Sequence, residues 1–433
     1  MSNTPIPSSI PTSQEVSLES PSSSVDQATD AKPVIAQSQN IFIEPAPGPT
    51  MMGANGIRYD FNFGCRVELP PLLNGKKWRV RYTDMVTFNV IFEAESEGGV
   101  FQSAKTYFVP FRIEVWKDGK KVFTHELSLE DKLVQVQIPV GTIGDVIAWF
   151  PYVDLFQKKH QCKLVCVISD LLRPLFEGTY PNIQFVSQEK AQLIQKDIYA
   201  SYRLGLYFDD WNCTHQPVDF RYVGLHKTAA YILDVEPIES PPALDIENIE
   251  RVIQGPYVCI AVQSSTQSKY WNNPHGWYEV VKWLKDAGYR VLCIDKEPVW
   301  GQGSSWNYIP NGAEDMTGAK PLLERAALLK HADFFVGLSS GLSWVAWAAG
   351  TPTVMISGFT HPNNEFQTPY RIFNHHTCNS CWNDPKQIFD HFDFMWCPRH
   401  KGTDRQFECT RLITVDHVKS VISKIPDFPR KML

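Results

Sequence analysis

Residues 134–170 read VQVQIPVGTIGDVIAWFPYVDLFQKKHQCKLVCVISD, and the fold class turns on them. An apolar strand, a glycine turn, an amphipathic helix and a second apolar strand follow one another, which is a βαβ unit. In such a unit the turn at the strand's carboxyl end opens onto the ligand cleft. Thr142, Gly144 and Asp145 occupy that turn. Glycine there lets a backbone approach a ligand closely. Asp145 suits a general base, although a carboxylate at this position also caps a helix.

Moving outward, the strand–helix rhythm continues. NIQFVSQ near Ile183 and YILDV near Ile232 are further strand candidates with a helix between them, and the Pro-rich, acidic stretch 235–248 suits a linker. The scheme then repeats as YVCIAVQSS, a helix from Gly276 to Ala287, RVLCID, a helix from Pro321 to His331, FFVGLSSG and TVMISG. Two α/β halves joined by a linker predict a cleft between two Rossmann-like lobes. Ahead of them, residues 41 to about 137 alternate in short runs, and Asp118-Gly119 between β-rich segments marks a hairpin. That pattern predicts a small antiparallel, barrel-like β domain that serves as scaffold and, having unpaired edges, as the contact of an oligomer. Residues 1–40 are rich in Ser, Thr, Pro and Gln and are expected to be disordered. The expected boundaries are therefore 1–40, 41–135, 136–240 and 250–433, the last carrying a cysteine segment at 375–412.

The chain has 433 residues, enough for two to three domains. It carries 41 Lys and Arg against 47 Asp and Glu, a formal charge of −6, so the basic surplus of a nucleic-acid binder is missing. With 43% hydrophobic and 12% aromatic residues it is a folded, globular composition. No apolar run is long enough to span a membrane, and the start lacks the basic-then-apolar pattern of a secretory signal, so a cytoplasmic protein is expected. Six of the ten cysteines are scattered, several in apolar strands.

Four more groups carry chemistry. Lys269, in QSSTQSKYW just past an apolar strand, offers a cation to an anionic group, or is a solvated lysine; the P-loop glycine spacing is absent. Ser339, Ser340, Gly341 and Leu342 open an apolar helix after FFVGL, where free N–H groups and the helix dipole favour a diphosphate, or where the serines merely cap. Asp295, ending RVLCID, can bind a donor hydroxyl or cap the strand end. The most specific pattern is Cys378-x2-Cys381-x15-Cys397-x11-Cys409, two arms of thiolates that suit one tetrahedral metal, zinc or iron, in a closed structural site.

In order, these motifs resemble glycosyltransferases of the two-lobed GT-B type, and within them the heptosyltransferases of glycosyltransferase family 9. The resemblance places the family's catalytic aspartate on Asp145 and its phosphate-binding lysine on Lys269. It aligns the family's Asp-Thr-Gly-Leu-Ser-His loop with Ser339 to Trp344, so that serine stands in place of the acid and tryptophan in place of the histidine. The added β domain and cysteine finger make residues 41–433 similar to the bacterial autotransporter heptosyltransferases, the TibC-like enzymes. That likeness implies ADP-heptose as donor, serine hydroxyls of an autotransporter passenger as acceptor, iron in the finger and a large homo-oligomer, a dodecamer. It further implies inverting displacement, with Asp145 taking the acceptor proton while Lys269 and the N–H groups of Ser340 and Gly341 neutralise the departing ADP. A glycan-directed, lipopolysaccharide-type transferase and a non-catalytic assembly protein are the rival expectations.

Overall fold

The computed structural model describes residues 42–138 and 142–429. The expected disordered tail and residues 139–141 of the glycine turn lie outside the described residues. The first strands are β1 (Arg58–Asn62), β2 (Arg66–Leu69), β3 (Trp78–Asp84), β4 (Val90–Ser96), β5 (Gly99–Gln102), β6 (Phe111–Lys117) and β7 (Lys120–Glu126). In β3 and β6 buried and half-buried positions alternate, as a sheet with one face on the core requires. Asp118 and Gly119, with φ of 48° and 80°, form the turn joining β6 to β7. A two-residue hairpin turn favours such left-handed pairs.

These strands do not close into the expected barrel. β4, β3, β6 and β7 make an open antiparallel sheet, whereas β1, β2 and β5 join the sheet of the first lobe. The reason is pairing. β8 (Leu133–Ile138), β9 (Lys163–Ile168), β10 (Ile183–Val186) and β11 (Ala200–Arg203) lie parallel in the order β10-β9-β8-β11, and β1 adds to the free edge of β11 in parallel. An edge so covered offers no unpaired backbone. The Thr142-capped helix α1 (Ile143–His160) crosses from β8 to β9 as its sequence predicts.

YILDV is not a strand. It ends helix α2 (Leu225–Leu233), whose Leu225, Ala229, Ile232 and Leu233 are buried at helical spacing. The parallel strand is β11, ASYR, which looks polar in sequence yet is buried along most of its length.

The second lobe is a parallel sheet built from β12 (Tyr257–Ala261), β13 (Arg290–Cys293), β16 (Glu314–Asp315), β17 (Phe335–Leu338), β18 (Thr353–Ser357) and β19 (Arg371–Phe373), in the order β16-β13-β12-β17-β18-β19. Between β13 and β16 lies a hairpin of β14 (Val299–Gln302) and β15 (Ser305–Tyr308). Helices α3 (Gly276–Asp286), α4 (Leu322–Lys330), α5 (Gly341–Ala348) and α6 (Val415–Ile422) accompany this sheet. β12, β17 and β18 are buried at every position, the signature of strands covered on both faces. Among the described residues no helix is long and apolar enough to cross a membrane.

Candidate active site and metal finger

The amino ends of α1 and α5, one from each lobe, meet where the carboxyl ends of β8 and β17 deliver them. Thr142 and Asp145 form a reciprocal capping box, with the Thr142 N–H donating to Asp145 Oδ2 at 2.7 Å. This is the capping reading of Asp145, and it is true. It also fixes the carboxylate at the mouth of the helix, partly exposed. Burial raises the Asp145 pKa above the usual carboxylate range, against the Thr142 hydrogen bond and the nearby positive charge of Lys269. A carboxylate shifted upward and facing a cleft is poised to accept a proton.

Lys269 comes from the other lobe, ending a single turn after β12. Burial lowers its pKa, while Asp145 and Glu365 pull it back up. Its Nζ lies 5.4 Å from the ring centre of Phe359. The structure thus brings together the two charges separated by more than a hundred residues of sequence.

Ser339 ends on a buried network that sequence reading missed. Its Oγ lies 3.1 Å from Thr360 Oγ1 and it also bonds the Glu365 carboxyl. Glu365 is 1% exposed. It accepts from Ser357 Oγ at 3.1 Å and is ion-paired with Arg371. Burial raises its pKa, opposed chiefly by Arg371. Glu365 lies in the loop between β18 and β19, and no local signal in the sequence marks it.

The Ser340 N–H is occupied, donating to Leu338 O at 2.7 Å. Its neighbours Gly341 and Leu342 are the first two residues of α5, whose N–H groups have no partner within a helix. Asp295, 2% exposed, accepts from the Val262 N–H at 2.8 Å and the Gln263 N–H at 3.2 Å, bracing the ends of β12 and β13. Burial pushes its pKa up to about 6.

The cysteine segment folds against this cleft. Cys378, Cys381, Cys397 and Cys409 are free thiols, and burial together with one another's charges pushes Cys381 and Cys409 up to about 12. With Cys378 and Cys397 opposing ionisation of Cys381, and all three opposing that of Cys409, the four thiols are a donor set that a thiophilic cation would relieve. Arg399 Nη1 sits 3.6 Å from Cys378 Sγ, and the Cys378 N–H donates to Glu408 Oε1 at 2.9 Å. His400, Glu408 and Cys378 also bring ligand atoms within 4.8 Å of one another. Next to Cys381, Trp382 packs on Phe359 of the second lobe and on Phe208 and Phe220, which follow the first lobe's β11.

Comparison with known proteins decides the lineage. A model of the glycosyltransferase TibC N-terminal domain matches residues 53–119, and one of glycosyltransferase family 9 (heptosyltransferase) matches residues 224–388. The autotransporter heptosyltransferase TibC of Escherichia coli O78:H11 is 52% identical over 386 residues, which are 89% of this chain and 93% of that one. The chain belongs to the autotransporter heptosyltransferases. This family also contains a protein named as inactive, BimC of Burkholderia thailandensis, 43% identical over 89% of each chain. A crystal structure of TibC, dodecameric, iron-containing and in complex with ADP-D-beta-D-heptose, superposes with a TM-score of 0.84 at 51% identity, covering 88% of this chain and 99% of that one.

For an autotransporter heptosyltransferase, the two departures from the family 9 loop now have structural content. Ser339 in the acid's place is hydrogen-bonded to a buried acid, Glu365. Trp344 in the histidine's place is buried against the first lobe at Gly144.

Proposed function

We propose that this chain transfers heptose from ADP-glycero-manno-heptose to serine hydroxyls of an autotransporter passenger by one inverting displacement. The observation that carries this reading is that Lys269 of the second lobe comes close enough to Asp145 of the first for each charge to act on the other. Asp145 takes the proton of the acceptor hydroxyl as its oxygen attacks the anomeric carbon from the face opposite ADP. Lys269 and the N–H groups of Gly341 and Leu342 hold the diphosphate and stabilise the charge that develops as it leaves. Thr142 and Gly144 shape the acceptor side of the same turn. Ser339 lines the donor loop and is set by Glu365. Asp295 holds the ends of β12 and β13 beneath the donor.

The four cysteines hold one structural metal, iron as in TibC, which supplies cross-links to a segment too polar to fold alone. A large homo-oligomer of the TibC kind is the working assembly, in the bacterial cytoplasm. The test is intact-mass analysis of a passenger fragment produced with this protein in cells that make ADP-heptose. Added heptose masses are expected, and they vanish with Asp145→Asn. An unmodified passenger beside the unaltered protein overturns the reading.

A further inference from the structure

Gly144 and Gly341 each lie in the first turn of a helix with ordinary backbone angles, so neither needs glycine for its conformation. Alanine in a helix is better by about 1 kcal/mol. Both glycines instead make room for the opposite lobe. A Cβ on Gly144 would stand 2.6 Å from Cδ1 of Trp344, and a Cβ on Gly341 would stand 2.8 Å from Cβ of Ile143. The contact is therefore reciprocal, with each helix inserting one side chain over the other's glycine.

Trp344 is 4% exposed. Its indole packs edge-on against Phe366, 4.9 Å between ring centres, and against Trp347 at 5.7 Å, while Trp347 stacks on Phe366 at 5.1 Å. Phe366 adjoins Glu365, which sets Ser339. Asp145 follows Gly144 directly and is tied back to Thr142 within the same turn. The carboxylate therefore has little freedom apart from the turn that carries it.

We propose that Trp344 is a positioning residue: seated on Gly144, its indole sets how far Asp145 stands from the donor loop. This rests on Asp145 being the general base. A base works only within hydrogen-bond reach of its proton. Seating a methyl at Gly144 requires the turn or the indole to retreat by about 1 Å to regain ordinary van der Waals contact, and a displacement of that size can cost about 100-fold in rate.

The test is a double-mutant cycle on the full chain with Gly144→Ala, Trp344→Leu and the pair. Transfer is followed by intact mass of a purified passenger fragment and ADP-heptose affinity by calorimetry. Gly144→Ala is expected to lower kcat about 100-fold while donor affinity stays within about twofold, which also shows that the variant is folded. In the Trp344→Leu background the added methyl is expected to cost nothing, so the double variant matches Trp344→Leu alone. Wild-type kcat in Gly144→Ala, loss of its donor binding, or a full further loss in the double variant overturns the proposal. Asp145→Asn, measured alongside, judges the base assignment separately: activity retained there defeats the base, whereas the cycle alone judges the contact.

Discussion

The two sides of the cleft are built to opposite rules. On the first-lobe side stands one carboxylate, Asp145, partly exposed and held by its own helix cap. On the second-lobe side Glu365 is sealed, with Ser357, Ser339 and Arg371 arranged around it. Burial raises both pKa values, yet Asp145 keeps some exposure to solvent where Glu365 has almost none. A buried carboxylate bonded by three partners braces a fold, whereas one with spare capacity beside a cation is free to exchange a proton.

Breaking each side separately tests that contrast. Asp145→Asn removes the basic oxygen and keeps the shape, and should lower kcat by about 10²- to 10⁴-fold with little change in ADP-heptose affinity by calorimetry. Arg371→Met strands the Glu365 charge in the interior and should cost about 3–5 kcal/mol of stability, read as a fall in the thermal unfolding midpoint; an unchanged midpoint would mean that Glu365 is not held as an ion. Lys269→Ala removes a charge-assisted contact and should weaken donor binding about 10- to 100-fold, with the fold intact by circular dichroism. The smallest effect is on pH. With Asp145 as the proposed base, kcat/KM should fall as pH drops through a midpoint above the ordinary aspartate value. Since Lys269 lowers that pKa, Lys269→Ala should move the midpoint to higher pH, and a midpoint that stays put would remove the coupling between the two.

What could be read from the sequence and what could not divides along the same line. The βαβ unit, Asp145 at its turn, Lys269 after a strand and the cysteine spacing are local, since each depends on residues within one stretch of chain. Glu365 and Arg371 acquire meaning only when the loop after β18 folds over the donor loop, and nothing in HPNNEFQTPYR announces that. YILDV carries β-branched and aromatic residues, but the burial of Leu225, Ala229 and Leu233 on one face of a helix overrides that preference. ASYR offers no apolar run, and it becomes a strand because β8 on one side and β1 on the other complete its hydrogen bonds. The barrel expectation failed for the same reason, because alternation along a strand cannot say which sheet will receive it.

The shared sheet also orders events in time. Asn62, at the end of β1, donates a hydrogen bond to the Ile198 carbonyl just before β11, 136 residues further along the chain. On a ribosome that works from the amino terminus, β1 can pair with β2 at once, but its other edge must wait while the whole first βαβ unit is made. The first lobe's sheet is thus completed only when nearly half of the chain has been made, and a nascent chain halted before residue 200 would present an open strand edge to its neighbours on the same message.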